Sequence, residues 1–207
     1  SSRRLWRPRR TCIWRPRPFF PRKHKGFDGT PGCDAVPGLF EGKDIIHLTG
    51  TGSSAILAAE AAGADEIITA GLVNAEAAAK YILTRNPRSL SLVAVGKGGL
   101  ENSKEDTLCA KYIESLLTGK TIIGEDALPR IFRTKIFESD QIQLIADALL
   151  TDGGEEFFNP DPEWQEVYPR EDFFLCTACD LFDFIIRIRR DEKGILYASL
   201  NKVLCEE

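Results

Sequence analysis

The stretch from Gly42 to Gly96 does most to limit what this chain can fold into. It reads as strand, Gly- and hydroxyl-rich loop, helix, and then the same again. "KDIIHLTG" is a short apolar, β-branched run ended by Gly50, the pattern of a buried strand. "TGTGSSAILAAEAAGA" follows, with an Ala-rich helix ended by Gly63. "DEIITAGLV" predicts a second strand. Asn74 stands as N-cap of the helix "AEAAAKYILTR", which stops before Pro87. "SLSLVAVG" predicts a third strand, and the loop "KGGLENSK" leads into a helix from Glu105 to about Leu117. Leu108, Cys109, Tyr112, Ile113 and Leu116 give that helix one apolar face. Such alternation predicts an α/β fold, layered α/β/α, with a mainly parallel or mixed sheet.

The C-terminal half adds fewer regular elements. "SDQIQLIADALL" predicts a helix capped by Ser139 or Asp140. "GGEEFFNPDPEWQEVYPRED" is rich in acid and Pro and reads as a long surface excursion. "FDFIIRIRRD", "EKG" and "ILYASL" predict a terminal hairpin, because Ile186 and Ile188 alternate with Arg187 and Arg189 ahead of a Lys193-Gly194 turn.

Charge divides the chain. Residues 1–24 hold eight Arg, one Lys and no acid, which leaves 18 basic against 31 acidic residues in 25–207, a net of −13. Residues 1–25 therefore form a basic head. Its four prolines (Pro8, Pro16, Pro18 and Pro21) predict an irregular, disordered or non-native segment. Trp6 and Trp14 lie among the arginines, but nothing repeats and no nucleic-acid motif appears, so nucleic acid is not an expected partner. No run reaches the roughly 18 apolar residues of a membrane helix. No apolar segment follows the basic start as a secretory signal requires. The chain has no Met, which suggests a fragment or processed product.

Six cysteines do not make a disulfide framework at this length. Cys176 and Cys179 form "CTAC", a redox or metal pair in one reading and two small reduced residues in the other. His24 and His47 join no legible Ser/His/Asp order, which argues against a serine hydrolase.

Chemistry is best placed where strands end in helix-starting loops, since ligands of open α/β sheets bind at that edge. These loops offer Thr49, Thr51, Gly52 and Ser53; then Asn74; then Gly96, Gly98, Ser103, Glu105 and Asp106. Hydroxyls and Gly at a helix N-terminus leave N–H groups free for an anion. Adjacent carboxylates suit a hard cation such as Mg²⁺. The plainer accounts remain open: "TGTGSS" as a tight turn, Asn74 as a cap, and Glu105 and Asp106 as first-turn acids favoured by the helix dipole.

The residues resemble a family. "GFDG" at Gly26–Gly29, "GKDIIHLTGTGSSAI" at Gly42–Ile56, "ADEIITAGLVNAEAAAKYI" at Ala64–Ile82, "EDTLCAKYIESLL" at Glu105–Leu117 and "EDFFLCTACDLFDFIIRI" at Glu171–Ile188 stand in the order and spacing of the 2-phosphosulfolactate phosphatase family. The resemblance covers about residues 26–200. It implies a cytoplasmic, Mg²⁺-dependent acid phosphatase that hydrolyses 2-phosphosulfolactate or a similar small phosphorylated acid, in a route to coenzyme M. By that resemblance Asp106 and Glu105 hold the metal and, with Asp28, form the catalytic set. Thr49, Thr51, Gly52, Ser53 and Asn74 bind the phosphate. The expected partner is a small phosphorylated organic acid, a homodimer is an open option, and no membrane is expected. The family's opening Asp-x-x-Arg-Ala strand has no counterpart here, so residues 26–207 read as an N-terminally truncated phosphatase-like domain. A non-catalytic remnant or anion-binding domain of the same family is the alternative.

Overall fold

The computed structural model describes residues 11–14, 27–28, 44–47, 51–119, 145, 147–150, 155–159 and 170–203. In chain order the elements are β1 (Thr11–Trp14), β2 (Phe27–Asp28), β3 (Asp44–His47), α1 (Gly52–Ala61) and β4 (Ile67–Thr69). There follow a 3₁₀ turn (Leu72–Asn74), α2 (Ala75–Arg85) and α3 (Lys104–Thr118). The last are α4 (Glu155–Phe158), α5 (Arg170–Thr177), β5 (Phe184–Arg190) and β6 (Leu196–Lys202).

Among the described residues the strands form two three-stranded sheets. β1 lies between β2 and β3 and runs parallel to both. β4, β5 and β6 form an antiparallel sheet, with Ile67 opposite Ile188 and Ile186 opposite Leu200. The architecture is therefore mixed α/β. The expected parallel pairing does not hold at β4, which joins the C-terminal hairpin antiparallel instead. That hairpin forms as its alternation predicts. Gly194 takes φ +78° in the turn, and Asp191 Oδ1 accepts the N–H groups of Lys193 and Ile195.

Three further expectations are corrected. The basic head is not irregular throughout, since Thr11–Trp14 form β1. "TCIW" is β-prone and lies between Pro8 and Pro16 rather than across a proline. Residues 89–96 form no strand and are largely exposed, with Val93 at 67%. A β-prone run becomes a strand only with a neighbour to pair with, and this one has none among the described residues. The acidic, Pro-rich excursion contributes α4, whose Phe157 and Phe158 pack edge-on against Phe173 of α5. Residues 145 and 147–150 are helical, as their pattern predicts, and the cap at Ser139 or Asp140 lies outside the described residues.

The core sits between α2, α3, α5 and the sheet. Leu72, Ala75, Ile82, Tyr112, Ile113, Ile145, Leu149 and Phe173 are buried together, with Leu108, Cys109 and Leu116 packed against them. The apolar face expected of α3 is thus the face that is buried. α2 ends on Asn86 at φ +46° and α3 on Gly119 at φ +66°, left-handed C-caps of the usual kind. No helix among the described residues is long and apolar enough to cross a membrane.

Candidate anion site at the helix N-termini

Three helix starts carry the candidate residues, and the structure treats them differently. At α1, Thr51 occupies the N-cap position without capping. The first-turn N–H groups of Gly52, Ser53 and Ser54 have no acceptor among the described residues. A helix has up to four such orphan donors at its N-terminus, and these remain open. The Thr51 hydroxyl is used elsewhere, accepting the Gly98 N–H at 3.0 Å.

At α3, Ser103 is a true cap: its buried hydroxyl accepts the Asp106 N–H at 3.3 Å. Asp106 turns back to the preceding loop, where its Oδ2 accepts the Gly96 N–H at 2.7 Å. Its other oxygen has no hydrogen-bond partner among the described residues. Glu105, one position away, is exposed and makes no such bond. Successive helical residues point about 100° apart, so the two acids diverge.

The loop 96–99 thereby ties the two helix starts together, held by Asp106 from α3 and by Thr51 from α1. Gly96 is required there. It sits at φ +70°, and a Cβ would run into the Glu101 carbonyl oxygen.

The start of α2 is a separate junction. Asn74 is 3% exposed, and its side chain is committed to structure. Oδ1 accepts the Gly71 N–H at 2.9 Å, and Nδ2 donates to the Phe184 carbonyl at 3.0 Å. It does not cap α2. That role falls to Asp180, whose Oδ1 accepts the Glu76 N–H at 2.6 Å from 104 residues away in sequence. Asp180 Oδ2 accepts the Tyr112 hydroxyl at 2.5 Å.

Of the residues proposed from sequence, Thr51, Gly52 and Ser53 at the α1 start and Asp106 at the α3 start are linked through the loop that holds Gly96 and Gly98. Glu105 and Asn74 are not joined to that group by any contact described above. Asp28 ends β2, with its side chain outside the described residues, as is the whole of Thr49. Asp180 was not foreseen as a site residue. Its partners are remote, and no local pattern marks it.

Cys109, Cys176 and Cys179 are quiet. Burial pushes the Cys109 thiol up to about 12, with the charges of Asp106, Cys179 and Asp180 adding to it. Burial and then Asp180 push Cys179 up to about 11. Cys176 is also raised, by burial and then by Asp172. At neutral pH all three are thiols and therefore poor nucleophiles. The pair does not open a helix as redox pairs do: Cys176 lies in the last turn of α5, and Cys179 follows its end. Among the described residues no group of three or more His, Cys, Asp or Glu side chains is arranged to hold a metal ion.

A mixed α/β chain with an open, hydroxyl-rich helix N-terminus tied to a carboxylate-anchored glycine loop has the parts of an oxyanion-handling protein. Residues 22–191 match the family model described as 2-phosphosulpholactate phosphatase, and the chain belongs to that family. A relative from Synechocystis is 30% identical over 182 residues, covering 84% of this chain and 68% of the relative. One from Cyanothece is 29% identical over 181 residues, covering 84% and 68%. One from Microcystis aeruginosa is 31% identical over 124 residues, covering 55% and 50%. Each is named "Probable 2-phosphosulfolactate phosphatase". The chain spans between half and about two thirds of the length of these relatives.

Proposed function

We propose that the chain is a phosphomonoester hydrolase acting on a small phosphorylated acid of the 2-phosphosulfolactate kind, releasing phosphate and the hydroxy acid. One observation carries the reading: the open N–H groups at Gly52, Ser53 and Ser54 lie beside a loop anchored by Asp106. Those N–H groups suit the phosphate oxygens, and the Ser53 hydroxyl can add a further donor.

Mg²⁺ is the cofactor this reading carries. Mg²⁺ is often held by one or two carboxylates, with waters and substrate phosphate completing its shell, and the free oxygen of Asp106 fits that pattern. Glu105 diverges from it and is not retained as a ligand in this proposal; Asp28 is. When bound, the ion would neutralise charge on the phosphate and lower the pKa of a bound water. Thr51 and Asp106 keep the loop and the α1 terminus in register while the substrate is held. The family resemblance extends the reading to a cytoplasmic location, a place in the route to coenzyme M, and a homodimer.

The test is phosphate release from 2-phosphosulfolactate with Mg²⁺ and with chelator. Metal-dependent release is expected, and equal release in both overturns the metal's role. A second reading, an anion-binding domain without turnover, is favoured by the divergence of Glu105, which leaves Asp106 without the adjacent carboxylate expected beside it. Phosphate binding with no turnover at saturating Mg²⁺ would select it.

A further inference from the structure

The loop Gly96-Lys97-Gly98-Gly99 spends three of its four backbone donors on itself and its neighbours. The Gly96 N–H goes to Asp106 Oδ2 at 2.7 Å, the Lys97 N–H to the Glu101 carbonyl at 2.8 Å, and the Gly98 N–H to Thr51 Oγ1 at 3.0 Å. The Lys97 carbonyl accepts from both Leu100 and Glu101 at 3.2 Å. Three consecutive N–H groups are thus committed, so the loop is not itself an anion cradle. Gly96, Gly98 and Gly99 all take positive φ, between +63° and +70°, and carry no side chain. What the loop presents is one side chain, Lys97.

Lys97 is exposed and has no ion pair among the described residues. Several described cations are engaged, Arg85 and Arg187 with Glu66, Arg190 with Glu60, and Lys80 with Glu76; Lys97 differs from the remaining exposed cations in standing on the loop that Thr51 and Asp106 tie to the α1 start. A lysine held at its Cα from both sides, next to open α1 donors, loses less freedom on meeting an anion than one on a mobile loop.

We propose that Lys97 is a specificity-determining residue: its ammonium binds the acid group of the substrate, carboxylate or sulfonate, while the α1 terminus takes the phosphate. The proposal rests on the phosphatase reading and assigns a role to a residue outside the set carried by the family resemblance. A substrate of this kind carries a second anionic group beyond its phosphate. Lys97 supplies a charge for it, and a charge-assisted hydrogen bond is among the stronger contacts available.

The experiment compares wild type, Lys97→Ala and Lys97→Arg on two esters: 2-phosphosulfolactate, and p-nitrophenyl phosphate, which lacks the acid group. Binding of sulfolactate and of inorganic phosphate is titrated alongside by calorimetry. Lys97→Ala should raise KM for the acid-bearing ester about tenfold or more with kcat little changed. It should leave KM for p-nitrophenyl phosphate within about twofold and weaken sulfolactate but not phosphate binding. Lys97→Arg should recover most of the loss, since the charge is kept. Equal effects on both esters, or no effect on sulfolactate binding, overturn the assignment. If wild type hydrolyses neither ester, the phosphatase reading falls, and the binding titrations still decide Lys97 by themselves.

Discussion

Asp180 Oδ2 accepts the Tyr112 hydroxyl at 2.5 Å, while its Oδ1 accepts the Glu76 N–H at 2.6 Å. One carboxylate thus caps α2 and fastens it to α3. Asp180 also holds a left-handed backbone conformation, φ +56°, which Asp and Asn tolerate better than most residues. Its own N–H donates to the Leu72 carbonyl, and the Phe182 N–H donates to that of Val73. The 3₁₀ turn, α2, α3 and the entry to β5 therefore meet at this residue.

Asp180→Ala should lower stability by about 2 kcal/mol, from a lost helix cap, a stranded Tyr112 hydroxyl and a disfavoured φ. Asp180→Asn should cost less than about 1 kcal/mol, because the amide oxygen still caps and the tyrosine hydroxyl can turn to accept. Denaturant unfolding of the two variants checks this. Equal losses would mean that the charge, not the bonding geometry, holds the junction.

Asn74 serves the same junction from inside. Asn74→Ala removes an acceptor from Gly71 and a donor to Phe184, at a site 3% exposed. The expected loss is about 1–3 kcal/mol, since both part-buried backbone groups then lose their partners. If Asn74 were instead a phosphate ligand with little structural role, melting would barely shift while KM rose.

How much of this was legible in the sequence depended on the range of each interaction. α2, α3 and the β5–β6 hairpin could be read directly, because periodicity, capping residues and turn residues act within a few positions. Residues 89–96 misled, since a β-prone run says nothing of whether a partner strand stands beside it. Asp106 was legible as an acid at a helix start, yet its bond to Gly96 lies ten residues back across a loop with no period. Asp180 was invisible as a cap because the N–H it accepts, on Glu76, lies 104 residues earlier.

Asp106→Asn should keep the fold and lose Mg²⁺-dependent turnover. An amide oxygen can still accept the Gly96 N–H, so the stability change should stay within about 1 kcal/mol. The charge a hard cation depends on is gone, and the rate should fall by orders of magnitude. Thermal melting and phosphate release, measured together, separate the two effects. Near-normal turnover would leave Asp106 as a loop anchor alone.

Alkaline pH should destabilise the fold through Cys109. Its pKa is raised by burial from an ordinary 9.0 to about 12, so the folded state favours the protonated thiol. The contribution is fully present below about pH 9 and is lost as pH climbs towards 12. Cys179, raised to about 11, acts in the same direction. Cys109→Ala should therefore flatten the decline in stability above about pH 9 relative to wild type, whatever its effect at neutral pH. Parallel slopes for the two proteins would count against a buried thiol at this position.

The glycines of the loop make the last prediction, because they differ in what surrounds them. Gly96 and Gly98 share a left-handed backbone, φ +70° and +63°. A Cβ on Gly98 meets nothing within 4 Å, so Gly98→Ala should cost only the conformational strain, about 1 kcal/mol, and leave the loop in place. A Cβ on Gly96 collides with the Glu101 backbone, which cannot swing aside as a side chain end can. Relief would require the Lys97–Glu101 bridge to open, and the Gly96 N–H would then leave Asp106. Gly96→Ala should therefore speed amide exchange at Gly96, Lys97 and Gly98 together and raise KM for the acid-bearing ester, whereas Gly98→Ala should change neither by much. Similar exchange in the two variants would show that the loop is not held as a unit from α1 and α3.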